Sequence, residues 1–267
     1  MGQRIPPDWD DIFLEAALEP ANWLGALDRM ASHTGSSHGQ LIGVGGARER
    51  PFNIVTNFGP DMIAKAQSND WYGETTNFRI AVSNQHVAKG HYDPILHEAH
   101  YDAAIETLES RDYVDWCEEI GIPFGCQTNL VIDNFGIVGL ATLRNRGDGR
   151  TTDDQRGIFA QAAAAARRAV RLQEKLEGQQ AQLLAGAFDA ISVTAFILDA
   201  RGNLLAHTLA AEALLQAGTV RQVGSSIDAG GAPHTLRALI QALIAEEGAQ
   251  HGRTMLATGD AASSLMI

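Results

Sequence analysis

Three groups of residues in this chain could do chemistry. His86, His91, His97 and His100 stand with Asp93, Glu98 and Asp102 within about seventeen residues. Helical His-x-x-His spacing, as in His97 and His100, sets two imidazoles on one face, where a carboxylate could complete a metal site. These spacings match no known ligand signature, so the reading is a solvent-facing polar loop without a metal, and a pH-sensing role is no better supported. The second group is the cysteines. Cys126 shares a strand with Thr128, and Cys117 follows Trp116 on a helix. A nucleophilic cysteine needs an activating base; none stands in an evident pattern, so both read as small buried hydrophobes. The adjacent acids Asp10-Asp11, Glu118-Glu119 and Asp153-Asp154 diverge on a helix and serve as surface or capping groups. No catalytic residue is assigned, and the expectation is not an enzyme. The third group is aromatic: Trp71, Tyr72, Phe78, Tyr101, Tyr113, Trp116 and Phe124.

The elements that must position these groups can be read from periodicity. Asp8 to Thr34 reads as an amphipathic helix in two parts, broken at Pro20. Gln40–Gly45 and Phe52–Phe58 are strands, and Pro60 opens a helix through about Trp71. Asn77 to Asp102 is polar and punctuated by Gly90 and Pro94. A second helix covers Ala103 to Ile120 and closes at Gly121 and Pro123. Phe124–Ile132 and Ile137–Leu143 form a hairpin about Asp133-Asn134-Phe135-Gly136, apolar on both faces and therefore covered on both.

From Thr152 a long helix carries Ile158, Ala162, Ala165, Ala169, Leu172, Leu176, Gln179 and Leu183, four and three residues apart in turn. That period of 3.5 is the seam of a coiled coil. From Thr152 to Ala187 the helix would run about 54 Å, and Thr151-Thr152-Asp153-Asp154 caps it. Beyond Asp189 lie a hairpin (Val193–Leu198 and Leu204–Ala206, with Gly202 in the turn), a short helix Leu209–Ala217, a loop-like stretch Val220–Gly231, an amphipathic helix Pro233–Glu247, and strands Arg253–Ala257 and Ser263–Ile267. The domains expected are 1–152, a linker helix 153–188, and 189–267, the last incomplete, since the sequence stops on an apolar strand.

Composition excludes several function classes. With 267 residues there is material for two cores. A net charge of −12 and a pI near 5.1 argue against a nucleic-acid surface; Arg167, Arg168 and Arg171 read as solvated helix positions. Two cysteines fit a reducing compartment. Met-Gly-Gln-Arg-Ile-Pro-Pro lacks an apolar signal core, and no stretch reaches the ~20 apolar residues of a membrane span. A cytoplasmic protein without a membrane partner is expected. Gly43-Val44-Gly45-Gly46 lacks both the G-x-G-x-x-G spacing and a following helix, so it binds no nucleotide.

The order strand, strand, helix, helix, hairpin, long helix resembles a GAF domain. Phe196-Ile197-Leu198-Asp199-Ala200-Arg201-Gly202-Asn203-Leu204-Leu205 and Ala210-Ala211-Glu212-Ala213-Leu214-Leu215 resemble the opening hairpin and helix of a PAS domain. With Tyr113-Val114-Asp115-Trp116-Cys117-Glu118-Glu119-Ile120-Gly121-Ile122-Pro123 ahead of the hairpin, the chain is similar to the sensory half of LuxR-type helix-turn-helix transcriptional regulators. The resemblance implies an α+β fold of two antiparallel-sheet sensory modules, GAF-like then PAS-like, joined by a dimerising helix. It implies a homodimer that meets DNA only through a C-terminal domain not contained in these residues. In a GAF fold the aromatic elements surround a cavity, so Trp71, Tyr72, Phe78, Tyr101, Tyr113, Trp116, Phe124, Cys126 and Thr128 are the expected lining for an apolar or aromatic effector. No cofactor is expected: no Cys stands beside a His for a bilin, the cyclic-nucleotide signature is missing, and the PAS-like part has no Cys for a flavin adduct. The rival readings are the sensor region of a histidine kinase or cyclase, and a dimerisation scaffold without ligand.

Overall fold

The structure is a computed structural model that describes residues 7–44, 52–59, 61–62, 64–65, 69, 71, 73–133, 136–199, 202–230, 236, 238, 240, 255–257 and 264–266. The chain divides into two compact units, Met1–Gln173 and Glu174–Ile267, both of mixed helix and antiparallel strand.

The first unit opens with α1 (Trp9–Leu18) and α2 (Trp23–His33), joined by a 3-10 turn at Pro20–Asn22. Asp8 accepts from the amides of Asp10 and Asp11 and starts α1. A five-stranded antiparallel sheet follows, ordered β2-β1-β5-β4-β3. Its strands are β1 (His38–Val44), β2 (Phe52–Val55), β3 (Leu96–His97), β4 (Phe124–Asp133) and β5 (Gly136–Arg144). The hairpin β4–β5 forms where the apolar pattern places it. Both faces of the sheet are covered, which its doubly apolar strands require.

Successive β5 side chains alternate between two cores. Val138 and Leu140 join Phe13, Leu27, Met30 and Phe159. Ala141 and Leu143 join Trp71, Phe78, Tyr101, Tyr113 and Trp116. The long helix α6 (Asp153–Ala190) begins with a capping box, in which Thr152 Oγ1 accepts from Gln155 N and Thr152 N donates to Gln155 Oε1.

Four expectations are corrected here. The positions Ala162, Ala165 and Ala169 are buried in the first unit's own core beside Phe159 and Trp23. Their small size lets the helix pack closely on its own domain, so this part of the 3.5-residue stripe is already occupied within the chain. Asn77–Asp102 is largely structured rather than loop: α3 (Phe78–Ala88), then β3 and α4 (Glu98–Ile105). Asn77 starts α3 by accepting from the amides of Arg79 and Ile80. The single helix read over Ala103–Ile120 is two, α4 and α5 (Asp112–Glu119), the second led in by Ser110 Oγ accepting from Asp112 N. Nor is Arg167 solvated. Its guanidinium donates to the carbonyls of Asn129 and Leu130 and pairs with Asp93. The helix read from Pro60 lies largely outside the described residues.

In the second unit, β6 (Phe196–Leu198) pairs with β7 (Leu204–His207), and Thr208 caps α7 (Leu209–Gln216). Val220–Gly231, read as loop-like, contains a hairpin of β8 (Val220–Val223) and β9 (Ser226–Ala229) turning at Gly224, whose φ is 61°. Exposed Arg221 and Gln222 hide this short strand from an apolar pattern. Leu236 and Ile240 are buried with Val220 and Ile227; the helix read over Pro233–Glu247 otherwise lies largely outside the described residues. Strands β10 (Met255–Ala257) and β11 (Ser264–Met266) pair with each other. Among the described residues no helix is long and apolar enough to cross a membrane.

Candidate functional site

The sheet face under α3 and α5 encloses two adjoining cavities. The larger, about 50 Å³, has a floor of Gln40, Ile42, Gln127, Asn129, Gly139 and Ala141 and a roof of Asn77, Arg79, Ile80, Ser83 and Tyr113. The smaller, about 30 Å³, is walled by Phe58, Trp71, Trp116 and Ile122. Gln40, Ile42, Asn77 and Tyr113 border both, so the two are halves of one site, polar at one end and aromatic at the other.

The polar end is held by hydrogen bonds that its own residues mostly exhaust. Ser83 Oγ donates to Asn129 Oδ1 at 2.7 Å, and Asn129 Nδ2 donates to the carbonyl of Tyr92 at 3.0 Å. Gln127 donates to the Arg79 carbonyl at 2.7 Å and accepts from Tyr101 Oη at 3.1 Å. Asn77, besides capping α3, donates to the carbonyl of Trp71 at 2.8 Å. Arg79 is 5% exposed and lies over the rings of Phe78, Tyr101 and Tyr113. At the aromatic end, Trp71 lies 4.7 Å from Trp116 and 5.9 Å from Tyr113, centroid to centroid.

Of the nine residues expected to line a pocket, Trp71, Tyr113, Trp116 and Thr128 border these cavities. Phe78 and Tyr101 pack behind the wall, 5.1 Å apart, and Tyr101 reaches it through Gln127. Phe124 is half-buried at the start of β4 under the Arg150 guanidinium. Cys126 is not brought to the site: it packs in the other core, with Thr142 Oγ1 at 3.4 Å from its sulfur. Burial pushes its thiol up to about 12. Tyr72 lies outside the described residues. The polar lining, Arg79 and Asn77 above all, has no signature in the polar, Gly- and Pro-punctuated pattern of Asn77–Asp102. The available signal was Asn followed by Phe-Arg-Ile-Ala-Val, a helix cap with a cation inside an apolar run.

The histidines cluster without forming a ligand set. His97 and His100 rings are 4.6 Å apart, His86 and His100 5.5 Å, His86 and His91 5.8 Å. Among the described residues no group of His, Cys, Asp and Glu could hold a metal. Burial lowers the pKa of His86, and His100, Lys89 and His91 lower it further. His97 is lowered by burial and by Arg156 and His100, against the opposing pull of Glu98 and Asp153. Burial works to raise Glu98, but Thr151 Oγ1 at 2.7 Å, Thr151 N at 2.9 Å and Gly125 N at 3.0 Å outweigh it, and its pKa is lowered.

All three shifts have the same consequence. A group whose folded pKa lies below its unfolded value stabilises the fold above the unfolded value and loses that contribution as pH falls. Stability should therefore be flat between the ordinary thiol value of 9.0, above which the raised thiols of Cys117 and Cys126 begin to cost, and the ordinary histidine value of 6.5. It should decline below 6.5 as His86 and His97 are forced to charge, and decline again below the ordinary glutamate value of 4.5. Urea midpoints at pH 7.5 and 5.5 check this, and a midpoint unchanged between them contradicts it. The double variant His86→Gln, His97→Gln should flatten the first decline.

No protein-family model matches this chain, and no curated protein is significantly similar to it. Among solved structures it is similar to Escherichia coli SdiA, at 12% identity and a TM-score of 0.41, over 69% of this chain and 83% of that one. It is similar to SdiA in complex with octanoyl-rac-glycerol, at 10% identity and 0.43, over 72% and 84%. A third is CepR2 from Burkholderia cenocepacia, an N-acylhomoserine lactone dependent LuxR-family transcription factor, at 16% and 0.38, over 63% and 98%. TM-scores below 0.5 at such identities do not establish a shared fold, so the function of this chain rests on its own residues.

Proposed function

We propose that this chain is the ligand-sensing and dimerisation region of a LuxR-type transcriptional regulator. The observation that carries the reading is the two-ended cavity between the sheet and α3 and α5, whose aromatic half suits a small apolar or aromatic effector. DNA contact is assigned to a helix-turn-helix domain that these residues do not contain, in keeping with the net charge of −12. Residues 1–152 act as the GAF-like sensor, 153–188 as the relay helix, and 189–267 as the PAS-like module.

The relay has a physical route. Asn129 borders the cavity, and its backbone carbonyl accepts from Arg167 of α6 at 2.9 Å. A ligand that prefers one position of β4 thereby biases the helix, to the extent of its differential affinity for the two states. Dimerisation falls to the part of α6 past Leu172, which itself packs on the first unit's core. Leu183 is 77% exposed and Leu184 45%. Light scattering should report a dimer that becomes a monomer in Leu183→Glu, Leu184→Glu; an unchanged mass places the interface elsewhere.

The cavity is tested by occupying it. A Cβ on Gly139 would meet only Ile42 Cγ2 at 3.4 Å and the Thr128 carbonyl at 3.8 Å. Gly139→Val therefore keeps the strand and fills the site. A library of small aromatics should yield compounds that raise the melting temperature of the parent chain and leave Gly139→Val unmoved. Equal shifts in both would move the site; no shift with any compound would favour a scaffold without ligand.

A further inference from the structure

Arg79 is a buried cation. No carboxylate pairs with it among the described residues. Nη1 donates to Tyr113 Oη at 3.2 Å and to Cys117 Sγ at 3.4 Å, and Nη2 to the carbonyls of Ile122 at 2.9 Å and Phe124 at 3.4 Å. Burial pushes both the Tyr113 phenol and the Cys117 thiol up, so neither supplies a negative charge. Its Nε is buried and has no partner. An uncompensated guanidinium in a low-dielectric wall is costly unless something pairs with it.

Arg144, also buried, shows the contrast. Among the described residues it too pairs with no carboxylate, but its Nε, Nη1 and Nη2 all reach carbonyls, and it stands outside the cavity. Of the two, only Arg79 borders the cavity, and only its guanidinium has a donor without a partner.

We infer that the cavity takes a small aromatic carboxylate, its ring at the Trp71–Trp116 end and its anion on the guanidinium of Arg79. The inference rests on the ligand-sensing reading and narrows it to a chemical class. Together the cavities, about 50 and 30 Å³, fall below the roughly 150 Å³ void that holds a benzene ring, so a single-ring acid is the upper limit and its binding must widen the site. A carboxylate oxygen accepting from Nε–H would supply the missing partner in a charge-assisted hydrogen bond. The negative charge of the whole chain slows the approach of such an anion; it does not alter the pairing inside the wall.

The test is a comparison of isosteres on the whole chain. Benzoate and phenylacetate are titrated against benzamide and phenylacetamide, with indole and phenol as neutral aromatics, by calorimetry and thermal shift. The acids should bind about ten- to a hundredfold more tightly than their amides, the range expected when a hydrogen bond to a charged group is replaced by a neutral one. Arg79→Gln should lose that preference while still binding indole or phenol. The acid-to-amide ratio of the parent chain decides the matter even if this buried variant does not fold. Amides binding as well as acids, or neutral aromatics binding where acids do not, overturns the carboxylate and leaves the sensing reading standing. No binding by any of the six overturns both.

Discussion

Gly125→Ala is expected to cost more than about 4 kcal/mol and to leave the first unit without a cooperative fold. Two effects combine. Gly125 has φ of 142°, a conformation costly for any residue with a Cβ. A Cβ there would also fall inside the carbonyl oxygen of Thr142, backbone that cannot step aside because β4 and β5 pair at Gly125↔Leu143. Relief by shifting the strand would pull Gly125 N from Glu98 and slide the floor of the cavity, including Gln127 and Asn129. Near-UV circular dichroism and thermal melting read the result. Gly149→Ala is the control: φ is 68°, with nothing within 4 Å of the added carbon, so only the backbone cost of about 1 kcal/mol applies. If Gly125→Ala melts as the control does, the register of the hairpin is wrong.

Arg144→Met should be the next most damaging, at about 2–3 kcal/mol. The side chain is 2% exposed and joins two segments whose other tie is at the surface, where Ser37 Oγ donates to Asp148 Oδ2 and accepts from Asn145 Nδ2. Its Nη1 takes the carbonyls of Thr34 and Gly35, both at 2.8 Å, which α2 leaves unpaired at its C-terminal end. Nη2 and Nε take those of Asp148 at 2.7 Å and Gly149 at 2.9 Å, closing the turn between β5 and α6. Methionine keeps the volume and abandons four carbonyls, the buried one of Thr34 and the partly buried ones of Gly35, Asp148 and Gly149. Urea denaturation measures the loss, and faster hydrogen exchange at 34–37 and 145–149 locates it. Lysine should rescue little, since one ammonium cannot span a fork of donors. A variant as stable as the parent would mean that water replaces the guanidinium without penalty.

The two effects bear on the site from opposite sides. Gly125 sets the floor on which Gln127 and Asn129 stand. Arg144 ends the strand that supplies Gly139 and Ala141 and leads on toward α6. A ligand's influence on the helix passes through these same segments, so both variants test the frame that holds the cavity.

Elements whose signal is local were legible in the residues alone: the break at Pro20, the hairpin about Asp133–Gly136, the Thr152 cap and the unbroken helix behind it. Each depends on neighbours a few positions apart, where propensity and capping act directly. The aromatic end of the site was legible too, because large rings must be buried somewhere and Trp71, Tyr113 and Trp116 flank one hairpin. The polar end was not. Arg79 meets Tyr113, Cys117, Ile122 and Phe124 across more than thirty residues of sequence, and no spacing records such a meeting. Two choices of face were likewise decided only by packing. Cys126 and Gln127 are neighbours in sequence and belong to opposite cores, because a strand turns alternate side chains away from each other. The Ala162–Ala169 stripe has a period that suits either a partner helix or its own sheet, and periodicity carries no information on which surface fills it. The first unit's own Phe13, Trp23 and Leu140 supply that surface, because small residues on one helix face admit whatever apolar surface the chain brings nearest.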